Sequence, residues 1–139
     1  MLALPRILLV DDNESGLAAR KAVLEELGYS ITTAVSPGEA LGYFAAGSFA
    51  LVVTDFKLPD MNGVELIAAV RRIEPGLLVV LISGFAEVMG MTEASTGANA
   101  VIQKSSTEVT QLVRTVNRLL KRKPAKRQIR PPKSRSATA

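Results

Sequence analysis

Ile7-Leu8-Leu9-Val10-Asp11-Asp12 decides how the rest of the chain is read. Four apolar residues without polar alternation describe a strand covered on both faces, as in a parallel sheet packed between helices. Two adjacent carboxylates follow where that strand stops. Runs of the same kind recur at residues 51–53, 77–82 and 100–102 and read as further central strands. Residues 30–35 alternate Ile31 and Val35 with Thr32 and Thr33, the pattern of a less buried edge strand. Amphipathic stretches separate the runs, so the chain alternates strand and helix five times, an α/β arrangement around a parallel sheet.

The helix boundaries carry their own chemistry. Asn13 precedes a helix that Gly28 ends. Ser36, Pro37 and Glu39 supply a cap, a first-turn proline and a capping acid for a helix that stops at Gly47. A third helix carries Leu66, Ile67 and Val70 and breaks at Pro75-Gly76. Residues 87–96 are expected to form a weaker helix, interrupted by Gly90. Ser105 and Glu108 have capping-box spacing before Val109, Leu112, Val113, Val116, Leu119 and Leu120, which recur at helical period.

The 139 residues suit one domain with a substantial core, and the longest apolar run, residues 77–82, is far too short to span a bilayer. No secretory signal precedes Arg6, so a cytoplasmic location is expected. With no cysteine and no histidine, thiolate catalysis, imidazole bases and zinc sites of the usual ligands are excluded. The net charge of +4 averages two unlike parts. Residues 1–120 hold 9 basic and 13 acidic side chains, whereas residues 121–139 hold eight basic ones and no acid. That terminal stretch, with Pro124, Pro131 and Pro132, is expected to be a disordered tail over 122–139. It lacks aromatic residues between its charges, so a solvated end or linker stub, with docking to an acidic partner as one use, is favoured over nucleic-acid binding.

Carboxylates gather where strands end: Asp11 and Asp12 after the first, Asp55 after Thr54 on the third. Ligand sites of open α/β sheets lie beyond the carboxyl ends of the strands. Three carboxylates there repel unless a cation intervenes, and an all-oxygen set favours Mg²⁺. Taken alone, Asp11 and Asp12 also suit a helix N-terminus and Asp55 a turn. Ser83 ends the fourth strand and Lys104 the fifth, adding a hydroxyl and an ammonium that suit a phosphate. Each has an ordinary reading too, a turn serine and a solvated lysine, and the agreement of four strand ends is what speaks for a site.

The chain resembles the receiver domain of two-component response regulators. The resemblance rests on Ile7-Leu8-Leu9-Val10-Asp11-Asp12, Thr54-Asp55, Leu58-Pro59-Asp60-Met61-Asn62-Gly63, Leu81-Ile82-Ser83-Gly84, Gly97-Ala98-Asn99-Ala100 and Lys104, in order, over residues 5–121. The Ser83-Gly84-Phe85 variant is similar to receivers attached to hybrid sensor kinases. It implies a flavodoxin-like (βα)5 fold, doubly wound, with a five-stranded parallel sheet in the order 2-1-3-4-5. It also implies a signalling phosphoacceptor rather than an ordinary enzyme. Asp55 would accept the phosphoryl group, Asp11, Asp12, Asp55 and the Lys57 backbone carbonyl would hold Mg²⁺, and Lys104 and Ser83 would contact the phosphoryl oxygens. The donor would be a histidine kinase, a histidine phosphotransfer protein or a small acyl phosphate, and the output a contact with a downstream protein. The initial Met and the lack of a second domain favour a standalone regulator.

The sequence departs from the family pattern at three places. Ser105 follows the lysine where proline is usual, which predicts a trans Lys104–Ser105 bond and frees Ser105 to cap the last helix. Val101 replaces the switch aromatic. Lys57 and Phe85 stand where residues tune dephosphorylation, and neither positions a water well, which points to slow self-hydrolysis. Two other readings compete: a pseudo-receiver that binds partners without phosphorylation, and a Mg²⁺-dependent aspartyl-phosphate phosphatase. The phosphatase lacks its second acid, because Lys57 stands two residues after Asp55.

Overall fold

The computed structural model describes residues 4–121. The basic segment 122–139, expected to be disordered, lies outside the described residues. Five strands, β1 (Arg6–Val10), β2 (Ser30–Ala34), β3 (Leu51–Asp55), β4 (Leu78–Ser83) and β5 (Ala100–Gln103), alternate with five helices. These are α1 (Glu14–Glu26), α2 (Pro37–Ala46), α3 (Gly63–Ile73), α4 (Glu93–Thr96) and α5 (Glu108–Leu119). The strands form one parallel sheet in the order β2-β1-β3-β4-β5. The flavodoxin-like fold class and strand order expected from the sequence are those observed.

Side chains leave a strand alternately on its two faces, so each central strand feeds two cores. Ile7, Leu9, Val53, Val80 and Ile82 pack with Leu17 and Leu24 of α1 and Leu112 and Val116 of α5. Leu8, Val10, Val52, Val79 and Leu81 pack with Ala40 of α2 and Leu66, Ile67 and Val70 of α3. This two-sided burial explains why these strands read as unbroken apolar runs. Ser30–Ala34 pairs only with β1 and is the expected edge strand. The run at 100–102 is not central: β5 pairs only with β4 and forms the opposite edge. Its burial alternates, with Val101 and Gln103 half-buried.

Several boundaries follow their local chemistry. Asn13 caps α1 by accepting the Gly16 N–H, and Gly28, at φ 95°, turns the chain out of it. Ser36 caps α2 through the Glu39 N–H, and Asn62 and Glu65 complete a capping box on α3.

Two helix expectations need correction. Residues 87–96 do not form one helix: turns run to Gly90, and α4 is only Glu93–Thr96. Gly90 adopts φ 61°, a left-handed conformation that stops helical propagation, and Thr92 starts afresh with its own capping box to Ser95. Ser105 does not cap α5 either, since Thr107 holds the N-cap position. The Ser105 hydroxyl accepts the Thr107 N–H, and Glu108, expected to complete the box, instead binds Arg20 at 2.8 Å. The Lys104–Ser105 bond is trans, as is every peptide bond among the described residues.

Gly63 opens α3 directly under the end of β3. A Cβ there would stand 2.4 Å from the Asp55 carbonyl oxygen and 2.8 Å from Leu81 Cδ1, a backbone clash that no side-chain rotation relieves. Gly42 in α2 has nothing within 4 Å of its Cβ direction. We therefore expect Gly63→Ala to lower unfolding stability by about 2 kcal/mol or more through overpacking. Gly42→Ala should raise it by roughly 0.5–1 kcal/mol through helix propensity. Urea unfolding of the two variants beside the parent checks both signs.

Candidate functional site

Backbone hydrogen bonds at the carboxyl ends of the strands join β1 to β2, β3 to β4 and β5 to β4. The Asp11 N–H donates to the Ala34 carbonyl beyond β1, the Phe56 N–H to the Ile82 carbonyl, and the Lys104 N–H to the Ser83 carbonyl. Strand pairing thus fixes where Asp11, Asp55, Ser83 and Lys104 begin. The Thr54 hydroxyl is buried and donates to the Asp55 carbonyl at 2.9 Å, holding the turn out of β3.

Asp11, Asp12 and Asp55 place one carboxylate oxygen each within 4.8 Å of the other two. Asp12 is exposed, whereas Asp11 and Asp55 are buried. The donor set fits a small hard divalent cation, being all oxygen, triply charged and open to water on the Asp12 side.

Asp55 is only 3% exposed, and Lys104 Nζ lies 2.8 Å from its Oδ1. Burial pushes the Asp55 carboxyl above the usual carboxylate range, and Asp11 adds to that shift. Lys104 and Arg20 pull in the opposite direction without cancelling it. Beside this pair lies a cleft of about 110 Å³ lined by Asp55, Lys57, Ser83, Phe85 and Lys104, among others. Ser83 Oγ accepts the Phe85 N–H at 2.9 Å, which leaves its own O–H free to donate. The Phe85 ring, 40% exposed, sits edge-on to Phe56, with Lys57 Nζ 5.8 Å from its centre. A larger groove of about 540 Å³ between α1, β2 and α2 collects no comparable set of charged groups from several strand ends.

All the residues singled out in the sequence thus meet at one sheet edge: Asp11, Asp12 and Asp55 in one cluster, and Asp55, Lys57, Ser83 and Lys104 around one cleft. Sequence reasoning missed Arg20. Its Nη1 donates to Asp11 Oδ2 and its Nη2 to Glu108 Oε2, both at 2.8 Å. Burial alone would lower its pKa, but the bonds and charges of Glu108 and Asp11 leave it raised, so the guanidinium is permanently charged. A signal for it was present, because Arg20 interrupts the apolar row Leu17–Leu24 on the buried face of α1.

A doubly wound sheet with acids, a hydroxyl and a lysine at its carboxyl edge defines an α/β domain of the flavodoxin-like type. The chain belongs to the response regulator receiver domain family, whose model matches residues 7–117. It is 28% identical over 115 residues to the response regulator receiver protein CpdR of Brucella abortus, covering 83% of this chain and 96% of that one. It is 29% identical over 105 residues to the C4-dicarboxylate transport transcriptional regulatory protein DctD of Rhizobium meliloti, covering 75% of this chain. The match spans only 23% of DctD's own length. Among solved structures, the response regulator TrrA of Thermotoga maritima, in complex with Mg²⁺-BeF, superposes with a TM-score of 0.74 at 28% identity. That match covers 84% of this chain and 99% of TrrA. TrrA bound to the histidine kinase ThkA superposes equally well, at 0.74 and 30% identity over the same shares. Among the described residues no helix is long and apolar enough to cross a membrane.

The raised pKa of Asp55 has a consequence with a definite sign. The folded protein holds that proton to higher pH than the unfolded chain, so stability falls as the pH rises from the ordinary carboxylate range to the folded-state value, and the full penalty stands above it. Below the ordinary carboxylate range the penalty is gone. Lys104 is 39% exposed and is resolvated easily when its partner is removed. In EDTA, Asp55→Asn should therefore melt above the parent at neutral pH, with the difference narrowing on acidification. A lower melting temperature at neutral pH would mean that the Lys104 pair outweighs the burial of Asp55.

Proposed function

We propose that residues 5–121 form a receiver that accepts a phosphoryl group on Asp55 in a Mg²⁺-dependent step and passes the change to a partner protein. The observation that carries this reading is the pairing of buried Asp55 with Lys104 at 2.8 Å, at the mouth of a cleft that Ser83 also lines.

The Asp55 carboxylate is the nucleophile. One of its oxygens forms the new P–O bond as the bond from phosphorus to the donor's nitrogen or oxygen breaks, and the electron pair leaves with the donor. The obstacle is charge, since a carboxylate must approach an anionic phosphoryl group. Lys104 meets this by following the charge from the carboxylate to a phosphoryl oxygen. The Ser83 hydroxyl donates to a second phosphoryl oxygen, a contact that exists only in the phosphorylated state and so can bias the loop that follows β4. Asp11, Asp12, Asp55 and the Lys57 carbonyl would hold a Mg²⁺ ion that supplies Lewis-acid charge to the phosphoryl oxygens.

These 139 residues contain no histidine, so a phosphohistidine donor lies outside them. The structure of TrrA with the kinase ThkA supports a histidine kinase in that role. Phe85 and Lys57 at the cleft mouth offer no carboxylate or amide to orient an attacking water, which makes the phosphoryl group long-lived. Val101 is half-buried among the apolar residues of the α2–α3 face. A small β-branched side chain there cannot swing between buried and exposed positions as a ring would, so output runs through a route other than serine–aromatic coupling.

Intact-protein mass after incubation with acetyl phosphate and Mg²⁺ tests the proposal. One phosphoryl group should be gained by the parent, and none by Asp55→Ala or by the parent in chelator. Lys104→Ala should slow the gain by on the order of 100-fold, the usual weight of one electrostatic contact to a transferring group. No gain with any small donor or candidate kinase, and no binding of beryllofluoride, would favour a pseudo-receiver.

A further inference from the structure

Arg20 is a buried cation that the mechanism above does not use. It lies on the inner face of α1 between Leu17 and Leu24 and is only 5% exposed. A guanidinium survives such burial only with its charge paired. One partner is Asp11, a member of the acidic cluster, and the other is Glu108, the first residue of α5. Asp11 is held on both oxygens, because its Oδ1 accepts the Asn13 N–H at 3.0 Å while Oδ2 takes Arg20 at 2.8 Å.

We propose that Arg20 is a positioning residue that serves as the built-in counter-ion of the Asp11, Asp12 and Asp55 cluster. It competes with a divalent cation for Asp11 and, through Glu108, couples the state of the cluster to the start of α5. The inference rests on reading that cluster as a cation site.

The affinity of an all-oxygen site rises with the negative charge it presents, and a fixed guanidinium on one of three carboxylates subtracts from it. Glu108 works in the opposite sense, since it shares the guanidinium with Asp11. When its charge is removed, Arg20 is left to Asp11 alone and binds it more firmly. The two substitutions must therefore move cation affinity in opposite directions. A merely structural role for the Arg20 bridge would loosen the cluster in both variants and shift affinity the same way. The geometry also gives a conformational readout: a cation that draws Asp11 away from Nη1 alters the bond from Nη2 to Glu108, 88 residues further along the chain.

The test is calorimetric titration of MgCl₂ into the parent, Arg20→Met, Arg20→Lys, Glu108→Gln and Asp12→Asn, with amide spectra recorded along each titration. Arg20→Met should bind Mg²⁺ about tenfold tighter and Glu108→Gln about threefold weaker, as expected from adding or removing one unit of charge near a dication. Arg20→Lys, which keeps the charge, should stay near the parent. Amide shifts at residues 108–112 on adding Mg²⁺ should be present in the parent and lost in Arg20→Met. Glu108 is partly exposed, so Glu108→Gln and Arg20→Lys keep the test decisive if Arg20→Met fails to fold. Equal or weaker Mg²⁺ binding by folded Arg20→Met, or tighter binding by Glu108→Gln, overturns the inference. Binding by the parent that Asp12→Asn abolishes upholds the cation site independently of Arg20. A parent that binds no Mg²⁺ overturns the cation site and this inference together.

Discussion

A carboxylate buried at the end of a central strand sets the terms for everything around it. Asp55 loses its hydration where β3 stops, and its ionised form is sustained by Lys104 from the far end of β5 and by the more distant charge of Arg20. Neither cation is near Asp55 in sequence. Both reach it only because the parallel sheet brings the carboxyl ends of β1, β3, β4 and β5 to one edge. The fold is thus what makes the charge arrangement affordable, and in the proposed function the tension left in Asp55 is what would make it a nucleophile.

The same edge explains how a small site can be both rigid and responsive. Backbone hydrogen bonds from Asp11, Phe56 and Lys104 fix the points from which the side chains extend. The side chains themselves are held by ion pairs that another charge can displace: Lys104 from Asp55, and Arg20 from Asp11. In the proposed function, a phosphoryl group or a cation would add charge where these pairs link β5, α1 and α5. The turns that follow β4, with Phe85, Val88 and Met89 exposed, lie next to Ser83, whose hydroxyl oxygen accepts the Phe85 N–H, so a partner reading this surface would meet a loop bonded to the cleft.

Much of this was legible in the residues. The apolar runs at 7–10, 51–53 and 77–82 have no alternation because two cores claim their side chains, and that alone specifies covered parallel strands. The cluster of Asp11, Asp12 and Asp55 could be placed because strand ends are where such sheets expose their sites. What sequence could not weigh was competition for a side chain. Ser105 and Glu108 have the spacing of a capping box, but Glu108 has a stronger claim from Arg20, 88 residues away, and the box does not form. Residues 87–96 contain enough helix formers to suggest one helix, yet Gly90 and the cap at Thr92 divide them. The run at 100–102 looks central because it is short and apolar, and only strand pairing shows that it is an edge. Arg20 was visible as a charge in an apolar row, but its partners are not local, so its role could not be read from α1.

Borohydride reduction after treatment with acetyl phosphate and Mg²⁺, followed by peptide mass analysis, tests the central claim most directly, because it converts an aspartyl phosphate to homoserine. The account predicts homoserine at position 55 and at no other aspartate. Homoserine at Asp11, Asp12 or Asp60, or a phosphoryl group that survives borohydride, would contradict it.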